Sequence, residues 1–135
     1  MENNVEYLKS KKDLEEDNDY QNFVLDFTAS WCGPCKHIAP DFENLSKEDI
    51  FQHVKFYKVD VDENEELCEE YDINCMPTFV FLKDKKKVDL LSGASAKVLR
   101  EKLEINFCKT EEEDLSKEDD NSNKEAEVMS SNVEG

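Results

Sequence analysis

The stretch of sequence that decides the fold is FVLDFTASWCGPCK, residues 23–36. Its first five residues form a nearly continuous apolar run, which is typical of a strand that is buried on both faces. From residue 36 onward the apolar residues recur at steps of three to five positions, at Ile38, Phe42, Leu45 and Ile50. This spacing predicts a helix, which Pro40 should kink. Residues 32–35 therefore lie where a buried strand passes into a helix.

The rest of the chain also alternates between strand-like and helix-like patterns. Strands are predicted at residues 5–8, 54–61, 78–82 and 88–91, and helices are predicted up to residue 19, at 63–71 and at 98–107. The lysine-rich residues 83–87 connect the last two strands as a hairpin, and Gly93 ends the second of these strands. The order β-α-β-α-β-α-β-β-α predicts an α/β fold with a mainly parallel sheet, helices on both faces and an antiparallel edge.

Length and charge limit the number of domains and the kinds of partner. The 135 residues carry 34 acidic and 17 basic side chains, which gives a formal net charge of −17. Residues 109–135 hold ten acidic residues, three lysines and no aromatic residue, and we expect them to form a disordered acidic tail. Residues 1–108 then form one domain. The negative field disfavours nucleic acid and anionic membrane surfaces as partners.

The first residues and the cysteine count bear on the compartment. Residues 1–6 lack the basic start and apolar run of a secretory signal, and no segment approaches the length needed to cross a bilayer. We therefore expect a cytoplasmic protein. The five cysteines are an odd number at modest density, which disfavours a disulfide scaffold. In a reducing cytosol, a Cys-x-x-Cys pair indicates redox or metal chemistry.

The cysteine pair at the start of the predicted helix carries the strongest functional signal. A thiol at a helix N-terminus meets unpaired backbone N–H groups and the positive end of the helix dipole, and both favour the thiolate. Cys32 has that position, and Cys35 follows about one helical turn later. Pro34 suits an early helical position, while Gly33 leaves access for a substrate sulfur. The spacing permits attack by Cys32 on a disulfide and resolution of the mixed disulfide by Cys35.

Asp26 is a candidate proton acceptor for the second step. In the middle of an apolar strand its carboxyl group should be desolvated, which raises its pKa towards the neutral range that suits this role. Lys58, on the neighbouring predicted strand, is its expected partial partner. The residues alone leave open the alternative that Asp26 points outward into water.

Half of a zinc site is the alternative interpretation of the cysteine pair. Structural zinc takes four ligands, usually from two such pairs or from one pair and spaced histidines. The three other cysteines and the two histidines show no second pair at ligand spacing. We therefore expect no metal.

Together these residues resemble the thioredoxin family, most of all its cytosolic plant h type. The segment DFTASWCGPCK at 26–36, followed by IAP at 38–40, is similar to the family's active-site segment. The motifs KVDVD at 58–62, MPTF at 76–79 and SGA at 92–94 follow in the family's order. The resemblance covers about residues 5–107. It implies a thioredoxin fold, with a central mixed sheet of four to five strands flanked by about four helices.

The resemblance also implies the activity and further site residues. Cys32 and Cys35 would cycle between dithiol and disulfide and reduce protein disulfides, because Gly-Pro between the cysteines is the thioredoxin pairing. A cis peptide bond is expected before Pro77, although trans is commoner for prolines in general, and the backbone of Met76 would bind the substrate chain as a short added strand. The implied apolar contact surface comprises Trp31, Gly33, Pro34, Ile73 and Gly93.

Partners and cofactors follow from the same resemblance. It implies a monomer without a bound cofactor, which receives reducing equivalents from NADPH through thioredoxin reductase and passes them to disulfide-containing clients such as peroxiredoxins. Two alternatives stay open: a redox-inactive binding or scaffold subunit with the same fold, and an isomerase domain. The intact WCGPC argues against the first, because binding alone needs neither thiol, and the second should carry a compartment signal.

The chain departs from the family at two places. The hairpin turn has Asp84-Lys85 where relatives usually have Asn-Gly or Asp-Gly, which predicts either a strained lysine backbone or another turn type. Cys75 resembles the extra cysteine of animal thioredoxins that permits intermolecular disulfides, and it is a candidate regulatory residue. A buried or half-buried structural thiol is the alternative for Cys75, and the favoured interpretation for Cys68 and Cys108.

Overall fold

A computed structural model describes residues 5–108, which form a five-stranded mixed sheet with four α-helices packed around it. The predicted α/β class and order of elements are confirmed. Residues 1–4 and the predicted acidic tail, 109–135, lie outside the described residues. Along the chain the elements are β1 (Val5–Tyr7), α1 (Lys11–Glu15), β2 (Asn22–Thr28), α2 (Gly33–Ser46), β3 (Val54–Asp60), α3 (Glu65–Glu70), β4 (Thr78–Lys83), β5 (Lys86–Ser92) and α4 (Ala96–Phe107).

The strand order across the sheet is β1-β3-β2-β4-β5. Both β1 and β2 run parallel to β3, whereas β4 runs antiparallel to β2 and to β5. Strand β2 is therefore central, and its residues 23–27 are all buried, which accounts for their continuous apolar character. Within residues 5–108 no helix is long and apolar enough to span a bilayer.

The two faces of β2 pack against different apolar clusters. Val24 belongs to the cluster that contains Phe42 of α2 and Leu103 of α4. Phe23 and its alternate neighbours along the strand belong to the opposite cluster, which includes residues of α1 and α3. Because successive side chains of a strand point to opposite faces, Asp26 shares the face of Val24. The carboxyl group of Asp26 therefore lies on the side of the sheet that carries α2.

Several element bounds differ from the sequence-based expectation. Helix α2 includes Pro40, as expected, but it ends at Ser46, and a 3₁₀ turn, Asp49–Phe51, follows. This turn buries Phe51 and leaves Ile50 47% exposed, so including Ile50 in the apolar pattern of the helix was wrong. Helices α1 and α3 are shorter than expected.

The hairpin of β4 and β5 is tighter than expected. Lys83 and Lys86 both belong to strands, and only Asp84 and Lys85 remain in the turn. Their φ angles are 54° and 65°. Positive φ at both central residues is the mark of a type I′ turn, whose twist matches that of the flanking strands. Of the two alternatives for this turn, the strained lysine backbone at position 85 is therefore the one found.

Candidate active site

Cys32 and Cys35 meet at the N-terminus of α2. Cys32 is the N-cap residue with an extended backbone, and its Sγ accepts a hydrogen bond from the backbone N–H of Cys35 across 3.1 Å. Pro34 lies in the first turn, where a missing backbone donor costs nothing. The two sulfurs are joined in a disulfide, with the Cα atoms 5.3 Å apart. The predicted location of the pair at a strand-to-helix junction is thus confirmed.

The loop before β4 lies against the cysteine pair. The peptide bond between Met76 and Pro77 is cis, as the resemblance implied. The carbonyl oxygen of Met76 is 3.8 Å from Sγ of Cys32, and the backbone N–H of Gly93 donates to the carbonyl oxygen of Pro77 across 2.9 Å. Gly93 has a φ of 106°, which favours glycine. The end of β5 is thereby fixed to the loop that faces the disulfide.

The expected contact surface is brought together only in part. Trp31, Gly33 and Pro34 are exposed around Cys32, whereas Cys32 and Cys35 are themselves buried. Ile73 is half-buried and packs on the apolar cluster that includes residues of α1 and α3, and it is absent from the small cluster around the two cysteines.

Asp62 was not identified from the sequence, although it ends the KVDVD motif. The indole Nε1–H of Trp31 donates to Oδ2 of Asp62 across 2.9 Å. This hydrogen bond orients an indole that is 64% exposed. Its position in a recognised motif is the signal that could have found Asp62.

Asp26 is buried in β2, with 1% of its surface exposed. Its Oδ1 has no hydrogen-bond partner among the described residues. Burial raises the pKa of this carboxyl group to about 7, and the positive charge of Lys58 opposes that rise. The alternative that Asp26 points into water is therefore wrong.

Lys58 lies beside Asp26 in the register of β2 and β3, but its ammonium group has another partner. Its Nζ forms an ion pair with Oε2 of Glu43 across 2.9 Å. Lys58 thus acts on Asp26 through its charge and not through a hydrogen bond, which agrees with the partial partnership expected from the sequence. Glu43 was not identified from the sequence. Its spacing could have revealed it, because Cys35, Ala39 and Glu43 follow one another at steps of four residues and so share one face of α2.

A cleft of about 160 Å³ lies next to the buried carboxyl group of Asp26. Asp26, Cys35 and Lys58 all line it, together with Tyr7 and Asp60. Such a space has room for water, since one molecule takes up about 30 Å³ in the liquid and needs polar partners, which the cleft provides. A water molecule in this cleft would connect the carboxyl group of Asp26 with the sulfur of Cys35.

The remaining cysteines have different surroundings. Cys75 is exposed, with its Sγ 3.7 Å from Oγ1 of Thr78, so the buried alternative for this thiol is wrong. Cys68 and Cys108 are half-buried, and burial, reinforced by acidic neighbours, raises the pKa of both thiols. Within residues 5–108, no three His, Cys, Asp or Glu side chains are placed to hold a metal ion.

Comparison with known proteins gives one consistent result. A family model described as thioredoxin matches residues 6–105. A thioredoxin of Geodia cydonium is 48% identical over 106 residues, which cover 76% of this chain and 98% of that protein. An H-type thioredoxin of Picea mariana is 47% identical over 91 residues, which cover 67% and 71% of the two chains.

Solved structures agree with the sequence comparison. The X-ray structure of Fasciola hepatica thioredoxin has a TM-score of 0.68 at 47% identity, covering 76% of this chain and 97% of that one. The thioredoxin fold is thereby confirmed, and the disulfide at the start of α2 supplies the redox group of a protein-disulfide reductase. This chain therefore belongs to the thioredoxin family of thiol–disulfide oxidoreductases, whose clients are disulfide-containing proteins.

Proposed function

We propose that Cys32 is the attacking thiolate and Cys35 the resolving thiol of the reductase cycle. The Cys32 thiolate attacks one sulfur of a client disulfide, and the other client sulfur leaves as a thiolate. Cys35 then loses its proton and attacks Sγ of Cys32, which releases the second client thiolate and closes the Cys32–Cys35 disulfide. Two electrons pass to the client in each cycle. The observation that carries this assignment is the hydrogen bond from Cys35 N–H to Sγ of Cys32.

Asp26 is the proposed acceptor of the Cys35 proton. Its carboxyl group lines the same cleft as Cys35, and its pKa of about 7 suits proton transfer near neutral pH. A water molecule in the cleft carries the proton between the two groups. The charge of Lys58 stabilises the ionised form of Asp26 and thereby limits how strongly the carboxylate binds the proton.

The client chain binds beside Cys32. Its backbone pairs with that of Met76, next to the cis bond of Pro77, as a short added strand. The exposed surface around Cys32 that receives its side chains includes Trp31, Gly33 and Pro34, and Gly93 and the half-buried Ile73 are proposed to extend it. Cys75 is proposed as a regulatory thiol, because it is exposed and directly precedes Met76.

The oxidised chain has to be reduced again after each cycle. We assign this step to a thioredoxin reductase that draws on NADPH, with no cofactor bound to the chain itself. Peroxiredoxins are proposed as one class of client, and the cytoplasm as the compartment in which the monomer works. These assignments rest on the family to which the chain belongs and on its similarity to H-type relatives.

Reduction of insulin disulfides by the full chain, driven by dithiothreitol or by NADPH and a reductase, tests the cycle. We expect Cys32→Ser to lose turnover and Cys35→Ser to accumulate a mixed disulfide with the client. Cys108→Ser is the matched control and should retain turnover, because Cys108 lies at the far end of α4. Unchanged turnover in either active-site variant would refute the cycle.

A binding measurement separates the reductase from a scaffold subunit. A scaffold should keep its affinity for a partner when both Cys32 and Cys35 are replaced by Ala.

For Asp26→Asn, we expect slower release from the mixed disulfide with little change in the initial attack. Equal slowing of both steps would contradict the role given to Asp26.

A further inference from the structure

We propose that Glu43 is a positioning residue of this reductase: it holds the Lys58 ammonium group away from Asp26, so that Asp26 can exchange a proton at neutral pH. This inference rests on the proposed role of Asp26 as the proton acceptor for Cys35. Nothing in the active-site motif itself requires an acidic residue at position 43. The assignment depends on three side chains that α2, β2 and β3 bring together.

The first observation is where the lysine charge goes. Lys58 and Asp26 are direct neighbours in the parallel register of β3 and β2, yet Oδ1 of Asp26 has no hydrogen-bond partner among the described residues. The ammonium group of Lys58 instead lies 2.9 Å from a carboxylate oxygen of Glu43. The ammonium group of Lys58 therefore forms its ion pair with Glu43 of α2 and not with Asp26.

The second observation is the depth of this ion pair. The side chain of Lys58 is 14% exposed and that of Glu43 is 37% exposed. Charges at this depth are screened less by solvent and salt than charges on an open surface. Moving the Lys58 ammonium group, or removing the countercharge that neutralises it, therefore changes the potential at Asp26 appreciably.

A direct ion pair with Lys58 would lower the pKa of Asp26. An opposite charge in direct contact with a carboxyl group lowers its pKa by about one to three units. Burial holds the pKa of Asp26 at about 7 while Lys58 acts from its present position. If Lys58 paired directly with Asp26, the carboxylate would stay ionised at neutral pH and would bind the Cys35 proton too weakly. Glu43 prevents this by competing for the ammonium group.

Other titratable groups also lie around Asp26, and one of them, Tyr7, has its ring centroid 5.9 Å from Nζ of Lys58. The cleft also contains Tyr7 from β1, Cys35 and Lys36 from α2, and Asp60 at the end of β3. On its other side, β4 pairs Asp26 with the uncharged Phe79. Lys58 is the charged group whose field shifts the pKa of Asp26.

A direct test is the titration of the Asp26 carboxyl carbon by ¹³C NMR in the oxidised full chain, where Cys32 and Cys35 do not titrate. We expect Glu43→Gln to lower the midpoint of this titration by about one pH unit, because the freed ammonium group can approach Asp26. Asp41→Asn is the matched control: it removes the same charge from an exposed position on α2 that faces α4. An unmoved midpoint in Glu43→Gln, or an equal shift in both variants, overturns the proposal.

A second comparison tests whether Glu43 acts through Lys58. In a Lys58→Met background, Glu43→Gln should move the Asp26 midpoint much less than it does in the wild-type background, because the cation that it controls is absent. A shift of the same size in both backgrounds would mean that Glu43 acts on Asp26 directly, and it would overturn the positioning role.

The pH dependence of release from the mixed disulfide separates this inference from the function on which it rests. In Glu43→Gln, the rise of this rate with pH should move to lower pH by the same amount as the Asp26 midpoint. If the midpoint falls and the rate does not follow, Asp26 is not the proton acceptor, and the proposed function of Asp26 fails. If the midpoint stays in place, only the Glu43 proposal fails, since Asp26→Asn still tests the proton acceptor.

Discussion

The backbone N–H of Cys35 donates to Sγ of Cys32 across 3.1 Å, so the capping interaction of α2 is made by the sulfur that is proposed to react. Ser10 and Ser95 make the equivalent N-cap bonds of α1 and α4 with their hydroxyl oxygens. A sulfur in this place gains most from the helix terminus when it is an anion. The local fold of α2 therefore favours the reactive state of Cys32.

Selective alkylation of the reduced chain follows from this arrangement. At about pH 7 we expect iodoacetamide to modify Cys32 at least about tenfold faster than Cys68 or Cys108, since the thiolate is the nucleophile. Burial and acidic neighbours raise the pKa of the other two thiols. Mass spectrometry of the digested protein after partial labelling measures the order. Modification of Cys68 or Cys108 as fast as that of Cys32 would contradict the role of the helix terminus.

The buried carboxyl group of Asp26 makes the stability of the fold depend on pH. The pKa of Asp26 is about 7 in the folded chain, whereas an aspartate in an unfolded chain has a pKa of about 3.9. Between these values only the unfolded state has lost the proton. Rising pH therefore destabilises the folded state from about pH 4 up to about pH 7, and the loss is complete above that range.

Asp26→Asn should remove this loss of folding stability at high pH. Because one pKa unit corresponds to about 1.4 kcal/mol, the variant should gain up to about 4 kcal/mol over the wild type above pH 7 and almost nothing near pH 4. The buried amide has unsatisfied hydrogen-bonding groups, which reduces the gain. Urea unfolding of the oxidised proteins across this pH range measures the difference, with Asp41→Asn as the control. A gain that does not vary with pH would rule out Asp26 as its source.

The position of the site could be predicted from the sequence because its signals are local. The apolar run of β2, the Gly-Pro pair and the change of period at residue 36 all lie within a few residues of Cys32. Short-range patterns of this kind locate an element and its end. They do not separate an α-helix from the 3₁₀ turn that follows it, which is why Ile50 was included in the pattern of the helix.

The polar contacts around the site could not be predicted in the same way. The ion pair between Lys58 and Glu43 joins residues 15 positions apart, and the bond from Trp31 to Asp62 joins residues 31 positions apart. Both depend on how α2, β3 and the following loop pack, and on which of several reachable acids a side chain selects. The sequence therefore predicted that Lys58 lies beside Asp26, but it did not predict the ion pair of Lys58 with Glu43.

The bond between Trp31 and Asp62 should matter for protein clients more than for small disulfides. We expect Asp62→Ala to lower kcat/KM for insulin by about threefold, because the exposed indole loses the contact that orients it. Asp62→Asn keeps an acceptor oxygen and should lie between this variant and the wild type. Turnover with a small aromatic disulfide serves as the control and should change little. An equal loss with both substrates would show that the change acts on the cysteines and not on client binding.

The side chain of Lys85 accounts for a lysine in a turn where glycine is favoured. Its backbone has a φ of 65°, and its Nζ donates to the carbonyl oxygens of Glu15, the last residue of α1, and of Asp17, two residues further on. The left-handed conformation costs an L-residue roughly 1–2 kcal/mol. The two bonds to carbonyl oxygens offset that cost and fix the hairpin to the loop before β2.

Two substitutions of Lys85 separate the cost of its left-handed backbone from the stabilisation by its two side-chain hydrogen bonds. Lys85→Met keeps the strained backbone and loses both bonds, and we expect it to lower the free energy of unfolding by about 1–2 kcal/mol. Lys85→Gly loses the same bonds but relieves the strain, so it should be less destabilising than Lys85→Met, although glycine adds entropy to the unfolded chain. Urea unfolding at constant pH measures both variants, with the exposed Lys86→Met as control. If Lys85→Met were as stable as the wild type, the bonds to α1 would contribute nothing, and the strained turn would need another source of support.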